Sequence, residues 1–132
     1  MNRPQTYLHH ILDCIEAVQE YIGDDRDAFL HNRMAQDAVL RQLQIMAESS
    51  QRLPDDLKAG YPDVEWRALA AFRNVLVHNY LGVDVGEALT AFEAKMPVLR
   101  AAAEAMLADL GDKFARHNIA LHLTAAGRGL QS

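Results

Sequence analysis

The sequence predicts an all-α fold, an up-and-down bundle of four to five helices. Apolar residues recur three and four positions apart along most of the chain, and no segment alternates between apolar and polar residues as a half-buried strand does. The chain has 132 residues and is 50% hydrophobic. That length and composition suit the core of one domain and are too small for two ordinary domains.

The first two long helices are marked by clear apolar stripes. The first is predicted from Tyr7 to Ile22, with Pro4 just before it and Gly23 as its end. A short helical segment between Asp27 and Asn32 is expected to precede the second long helix, which Pro54 closes because the residue before proline avoids helical geometry. The apolar face of the second helix comprises Ala35, Val39, Leu43, Met46, Ala47 and Leu53.

The middle of the chain is predicted to form a turn and then a third long helix. One helical turn is expected from Asp55 to Ala59, between prolines and glycine that punctuate the segment. The third long helix is predicted to begin near Asp63, as its N-cap residue, and to run to Tyr80.

The last helix is predicted from about Asp84 to Leu110. Pro97 lies inside it and is expected to kink the helix or to split it in two. We therefore predict one helical domain over residues 1–111. Residues 112–132 are predicted to be a tail, either frayed in the manner of chain termini or ordered by a partner chain.

Charge and composition exclude several classes of function. The chain has 13 basic and 18 acidic residues, and residues 113–132 contain three of the basic residues and none of the acidic ones. A body this acidic binds nucleic acid poorly without a local site or an assembly. No apolar run approaches membrane-spanning length, and the amino terminus lacks a signal-peptide pattern. We expect a cytoplasmic protein that makes no contact with a membrane.

Metal and nucleotide chemistry is not expected from this chain itself. His10 and Cys14 are one helical turn apart, but two ligands do not make a metal site, and Cys14 is the single cysteine. No Glu-x-x-His occurs, which excludes the carboxylate-bridged metal bundle, and no glycine-rich phosphate loop is present. We therefore expect neither a metal nor a bound cofactor.

One residue contradicts the pattern of its own helix. On a helical wheel Arg73 falls in the middle of the apolar face formed by Leu69, Leu76 and Tyr80. An arginine there must reach solvent or meet an anion, so periodicity alone favours a snorkelling or salt-bridged arginine at a helix–helix seam. His78 falls elsewhere on the wheel, and ideal geometry does not bring it into contact with Arg73. Taken singly, His78 would be a surface histidine near a helix end, and Tyr80 an interfacial aromatic.

The spacing of these residues changes that interpretation. Residues 73–80, here called the motif segment, have the form Arg-x4-His-x-Tyr. The motif segment is followed by Leu81-Gly82-Val83-Asp84, and the preceding long helix carries Ile45-Met46-Ala47-Glu48. Over roughly residues 5–110 the chain resembles the HepT-like branch of the HEPN superfamily, and residues 112–132 lie outside the resemblance.

The resemblance implies a metal-independent endoribonuclease that is the toxin of a two-gene toxin–antitoxin pair. It implies a homodimer with a composite cleft between the motif helices, in which Arg73 and His78 are catalytic and Asn74 supports them. These residue types suit RNA cleavage, because histidine carries protons near neutral pH and arginine faces the charge that develops on the phosphate.

The resemblance also implies a partner and a modification. The partner is a minimal nucleotidyltransferase of the MntA type, which uses ATP to transfer AMP onto Tyr80 and so silences the ribonuclease. On the wheel Tyr80 shares a face with Arg73, so the attached phosphodiester is expected to pair with Arg73 and His78. The alternative is a non-catalytic helical dimer that docks a nucleotidyltransferase or binds nucleotide or RNA.

Overall fold

The computed structural model describes residues 3–111, and this part of the chain is all-α. It contains one 3-10 turn, Tyr80–Gly82, and no strand within the described residues. The predicted fold class is thereby confirmed. The expected tail, residues 112–132, lies outside the described residues. The helices are α1 (Pro4–Ile22), α2 (Arg26–Leu30), α3 (Arg33–Gln51), α4 (Asp55–Ala59), α5 (Trp66–His78) and α6 (Val85–Asp109).

The ends of the first three helices follow local chemistry. Pro4 occupies the first turn of α1, and Gly23 ends that helix with a φ of 67°, a left-handed conformation that glycine adopts freely. Asp25 caps α2, and the side chain of Asn32 caps α3 by accepting a hydrogen bond from the amide of Ala35 at 3.0 Å. The short helix expected before the second long helix is α2.

The core lies mainly between α1 and α3. Helix α3 packs against both α1 and α5, and α1 also packs against α6. Leu8, Ile11 and Ile15 of α1 and Leu43 of α3 are completely buried. Helix α5 contributes a single buried residue, Leu76, so it lies at the edge of the bundle.

The predicted start of the third long helix at Asp63 is wrong. The helix begins at Trp66 with Glu65 at the N-cap position. Residues 61–64 instead form a turn, in which the amide of Val64 donates to the carbonyl of Tyr61 at 3.2 Å and the indole of Trp66 donates to the same carbonyl at 3.1 Å. Because Val64 must enter the core, the chain turns inward before the helix begins.

Of the two outcomes expected at Pro97, a kink or a split, the split does not occur and the kink stays a prediction. Helix α6 runs without a break from Val85 to Asp109. Its packing explains this, because buried residues lie on both sides of the proline. They are Ala88, Leu89 and Phe92 before it, and Leu99, Ala102, Ala103, Met106 and Leu107 after it. Two ion pairs hold the preceding turn, Glu93 with Arg26 and Lys95 with Glu65. Tertiary packing outweighs the loss of one backbone hydrogen bond.

An apolar cavity of about 270 Å³ opens between α5 and α6. Its walls include Leu43 and Met46 of α3, Leu69 and Phe72 of α5, and Phe92 and Leu99 of α6. Over residues 3–111, none of the helices has the length and apolar character needed to traverse a bilayer.

Candidate active site

The motif segment lies on α5 and the short turn that follows it. Leu76 points into the core, whereas Asn74 and His78 lie on the outer, exposed face of the helix. Arg73 lies between these faces, at the seam with α3, and Tyr80 begins the 3-10 turn. The helix therefore presents its chemically useful side chains on two different sides.

Arg73 is held by a carboxylate of α3. Its Nη2 lies 3.6 Å from Oε2 of Glu48, and its Nη1 donates to Oδ1 of Asn74 at 3.3 Å. The side chain of Arg73 is 32% exposed, but its Nε is buried and has no hydrogen-bond partner among the described residues. The salt-bridged arginine at a helix seam, which periodicity favoured, is what the structure contains. The remaining exposed face of the guanidinium can still receive an anion.

His78 is the last residue of α5 and is exposed. Its side chain forms no hydrogen bond or ion pair with any residue in the described range 3–111. The structure thus joins Arg73 to Asn74, whereas His78 lies one turn beyond Asn74 on the outer face and bonds to neither residue. The imidazole is therefore open to contact with a substrate or a second chain.

Tyr80 is tied to a second carboxylate of α3. Its hydroxyl donates to Oδ1 of Asp37 at 3.4 Å, which is a weak hydrogen bond. Burial raises the pKa of Tyr80, the charge and hydrogen bond of Asp37 raise it further, and Arg33 lowers it. Tyr80 therefore remains a neutral hydroxyl at neutral pH.

The two carboxylate contacts lie at opposite ends of the seam between α3 and α5. Asp37 and Glu48 are eleven residues apart on one helix, which corresponds to about 16 Å along its axis. The early residue of α3 meets Tyr80 and the later one meets Arg73, so α3 and α5 run in opposite directions. Within one protomer, the Tyr80 hydroxyl is consequently held away from the Arg73 guanidinium.

Three further residues of the resemblance have structural roles here. Asn79 ends α5 and donates its amide to the carbonyl of Val75 at 2.8 Å. A Cβ at Gly82 would lie 2.5 Å from the side-chain nitrogen of Asn79, so glycine leaves room for that amide. Asp84 caps α6 through a 3.0 Å hydrogen bond from the amide of Glu87. These residues shape the turn that carries Tyr80.

Sequence reasoning missed Glu48 and Asp37 as partners of the motif segment. Glu48 was visible only as part of the pattern Ile45–Glu48, and Asp37 only as a charge on the polar face of its helix. Nothing in one sequence gives the offset between two helices, so neither pairing had a usable signal.

No group of three or more His, Cys, Asp or Glu side chains within residues 3–111 is placed to hold a metal ion. Cys14 is buried in the core, and burial together with the charge of Asp13 raises its pKa to about 11. Its thiol is therefore protonated at neutral pH, while His10 is exposed and stands against the ring of Tyr7. Contacts within the fold therefore account for the placement of both His10 and Cys14.

Comparison with known proteins gives a consistent result. The family model described as "Ribonuclease HepT-like" matches residues 11–106. The chain is 39% identical over 80 residues to "Probable ribonuclease HepT" of Thermococcus cleftensis, which covers 60% of this chain and 73% of that protein. It is 35% identical over 81 residues to "Putative RNase MJ1380" of Methanocaldococcus jannaschii, covering 61% of this chain and 74% of the relative.

A longer relative matches over only part of its length. The chain is 35% identical over 95 residues to "Gamma-glutamylcyclotransferase and putative RNase MJ0434" of Methanocaldococcus jannaschii, which covers 71% of this chain but 43% of that protein. No solved structure matches the chain. The family match spans most of the described helices and includes the whole motif segment. The chain belongs to the HepT-like ribonuclease family.

Proposed function

We propose that this chain is a metal-independent endoribonuclease in which Arg73 and His78 carry out RNA cleavage and Asn74 supports Arg73. The observation that carries the proposal is that the motif segment lies at the exposed end of α5 in a chain that belongs to a ribonuclease family. Arg73 is fixed by Glu48 and Asn74 while His78 stands free on an exposed helix end.

The proposed reaction uses the RNA's own 2′-hydroxyl as the nucleophile. His78 takes the proton of that hydroxyl or supplies one to the leaving 5′-oxygen, a task that histidine commonly performs in general acid–base catalysis. Arg73 faces the negative charge that develops on the phosphate and can bind two of its oxygens. Asn74 accepts from Arg73 and thereby fixes the direction of the guanidinium. No step requires a metal ion.

We propose that the working site is composite and is formed by a homodimer. One protomer leaves Arg73 and His78 on different sides of α5, so a second α5 is needed to place an arginine and a histidine on one phosphate. The outer face of α5 also exposes Val75 (44%) and Val77 (39%) beside His78, which suits a helix that packs against another chain. Two protomers also concentrate positive groups that an acidic monomer lacks.

The proposed regulation is that of a toxin silenced by its antitoxin. A cognate minimal nucleotidyltransferase of the MntA type would transfer AMP from ATP onto Tyr80, with no nucleotide bound by this chain itself. The support is local: Tyr80 lies at a surface turn next to Leu81, which is 89% exposed and is among the large apolar side chains left open to solvent. A partner protein can reach both residues.

The second candidate is a non-catalytic helical dimer that docks a nucleotidyltransferase or binds nucleotide or RNA. One observation favours it, namely that Glu48 already neutralises Arg73 in the free protein. A carboxylate at this position weakens an arginine that must attract a phosphate, unless RNA displaces it.

RNA cleavage in EDTA distinguishes the two candidates. We expect the wild type to cut a labelled single-stranded RNA, and Arg73→Ala and His78→Ala each to lose about 10²–10⁴-fold in rate. Arg3→Ala and His10→Ala are matched controls, because both residues are exposed and lie at the start of α1 or within it, away from α5. Full activity in the Arg73 and His78 variants would overturn the catalytic assignment, and strict dependence on Mg²⁺ would overturn the mechanism. A monomer by light scattering at micromolar concentration would remove the composite site.

A further inference from the structure

The seam between α3 and α5 contains a second group of polar residues that the ribonuclease reaction does not use. We propose that Asp37 and Arg33 form an acceptor site with Tyr80. Asp37 takes the proton of the Tyr80 hydroxyl as that hydroxyl attacks a nucleoside triphosphate, and Arg33 holds the phosphodiester that results. This inference rests on the proposed function, because it takes Tyr80 as the acceptor of AMP.

The geometry places a carboxylate directly against the reacting hydroxyl. The contact of 3.4 Å joins Tyr80 to a residue 43 positions away in the sequence, so it is produced by the packing of α3 against the turn after α5. Arg33 precedes Asp37 by four residues on α3 and therefore lies on the same face of that helix. Both α3 residues are exposed, and a partner enzyme can approach them together with Tyr80.

The surroundings of the hydroxyl create the need for a proton acceptor. Because the pKa of Tyr80 is raised, its hydroxyl is neutral at physiological pH and is a weak nucleophile. The carboxylate of Asp37 is the hydrogen-bond acceptor that the structure places on this hydroxyl in the described part of the chain. Aspartate performs the same task for substrate hydroxyls in protein kinases, where it accepts the proton during phosphoryl transfer.

The proposed step balances without a further reactant. The Tyr80 oxygen attacks the α-phosphorus of a nucleoside triphosphate supplied by the partner transferase. The new bond joins that oxygen to the α-phosphorus, while the bond from the α-phosphorus to the bridging oxygen breaks and pyrophosphate leaves. The proton moves from the hydroxyl to Oδ1 of Asp37 and then to solvent. The product on the protein is a tyrosine phosphodiester with one negative charge.

The product reverses the interactions that held the tyrosine. An esterified oxygen has no proton to donate, so the hydrogen bond to Asp37 is lost, and the new anion is repelled by that carboxylate. Arg33 is the arginine whose charge acts on the Tyr80 hydroxyl, and it can bind the phosphodiester with two hydrogen bonds. Within one protomer this anion meets Arg33, since Arg73 is held at Glu48 about 16 Å further along α3.

The first test measures the initial rate of AMP transfer from radiolabelled ATP by the cognate nucleotidyltransferase. Asp37→Asn keeps a hydrogen-bond acceptor but cannot take a proton, and we expect its rate to fall about 10²–10⁴-fold. Asp37→Glu should recover part of the rate. Arg33→Gln should slow transfer about tenfold, with Arg52→Gln, an exposed arginine at the opposite end of α3, as its matched control.

The second test needs no partner protein. An arylsulfonyl fluoride reacts with a tyrosine hydroxyl to form a sulfonate ester, releasing fluoride while the proton goes to a neighbouring base. We expect mass spectrometry of peptides to show Tyr80 labelled about tenfold faster in the wild type than in Asp37→Asn. Tyr21, which is 39% exposed, serves as the internal reference and should be labelled equally in both.

The outcomes separate the inference from the proposed function. Wild-type rates of Asp37→Asn in both assays, in a variant whose circular dichroism is unchanged, would overturn the role of Asp37. If the wild type receives no AMP at Tyr80, the proposed silencing fails together with the role of Arg33. Labelling by the sulfonyl fluoride then decides whether Asp37 activates the hydroxyl toward an electrophile.

Discussion

Helices α1 and α3 differ from α5 in how they use their surfaces. Five of the 19 residues of α1 and seven of the 19 residues of α3 are buried, whereas α5 buries one of its 13. The α1–α3 pair and α6 together therefore supply most of the apolar burial that stabilises the fold. Helix α5 packs against α3 and exposes the residues that the proposed chemistry needs. Stability and function should consequently respond to different substitutions.

The largest effect we expect is a loss of stability from the α1–α3 pair. Ile11→Ala removes a completely buried side chain of α1, and the free energy of unfolding should fall by about 2–5 kcal/mol. His78→Ala on the exposed end of α5 should change it by less than about 0.5 kcal/mol. Urea unfolding followed by circular dichroism, at one protein concentration, measures both. A loss from His78→Ala as large as that from Ile11→Ala would break the comparison.

Alkaline pH should lower the free energy of unfolding, because Cys14, a buried residue of α1, then loses its thiol proton. The pKa of Cys14 is raised from 9.0 to about 11 in the folded chain, chiefly by burial. Its contribution to stability is therefore complete below pH 9 and is lost as the pH rises towards 11, by about 3 kcal/mol. Cys14→Ala should flatten the fall in unfolding free energy between pH 9 and 11.

Two tyrosines also contribute to the loss of stability at alkaline pH. Tyr61, through its hydrogen bond to Asp109, and Tyr80, through burial, also have raised pKa values. Some loss of stability above pH 10 should therefore remain in the cysteine variant. An unchanged slope between pH 9 and 10, where Cys14 dominates, would contradict the assignment of the alkaline loss to α1.

The smallest effect concerns the turn between α5 and α6. Asp84→Ala removes the N-cap of α6 and should lower the unfolding free energy by about 1 kcal/mol. Asp84→Asn keeps an acceptor for the amide of Glu87 and should remain close to the wild type. Thermal unfolding of both variants shows whether Asp84 stabilises the turn through its hydrogen bond to the amide of Glu87 or through its negative charge. Equal losses in the two variants would show that the charge, not the cap, stabilises the turn.

The sequence was sufficient for the helices and for the conflict at Arg73. The apolar stripe of α1 and the glycine and prolines at helix ends are local signals, and the wheel placed Arg73 at a seam before its partner was known. The pairing with Glu48 was not predictable, because it depends on the offset between α3 and α5. The start of α5 was misplaced for a related reason: burial of Val64 is a tertiary effect.

The position of Tyr80 shows the same limit for the candidate site. A wheel puts Tyr80 and Arg73 on one face, but the helix ends at His78 and Tyr80 enters a 3-10 turn. The hydroxyl is then directed to Asp37 instead of following the helical face towards Arg73. Helix periodicity predicts directions only as far as the helix extends.

Pro97 leaves one gap in the backbone hydrogen bonding of α6. Proline has no amide proton, so the carbonyl of Glu93 lacks its usual partner one turn ahead. The packing on both sides of this gap is intact, since Leu89 and Phe92 before it and Met106 and Leu107 after it are buried. We therefore expect amide hydrogen exchange in α6 to be fastest in the turn around the proline and slow on both sides of it.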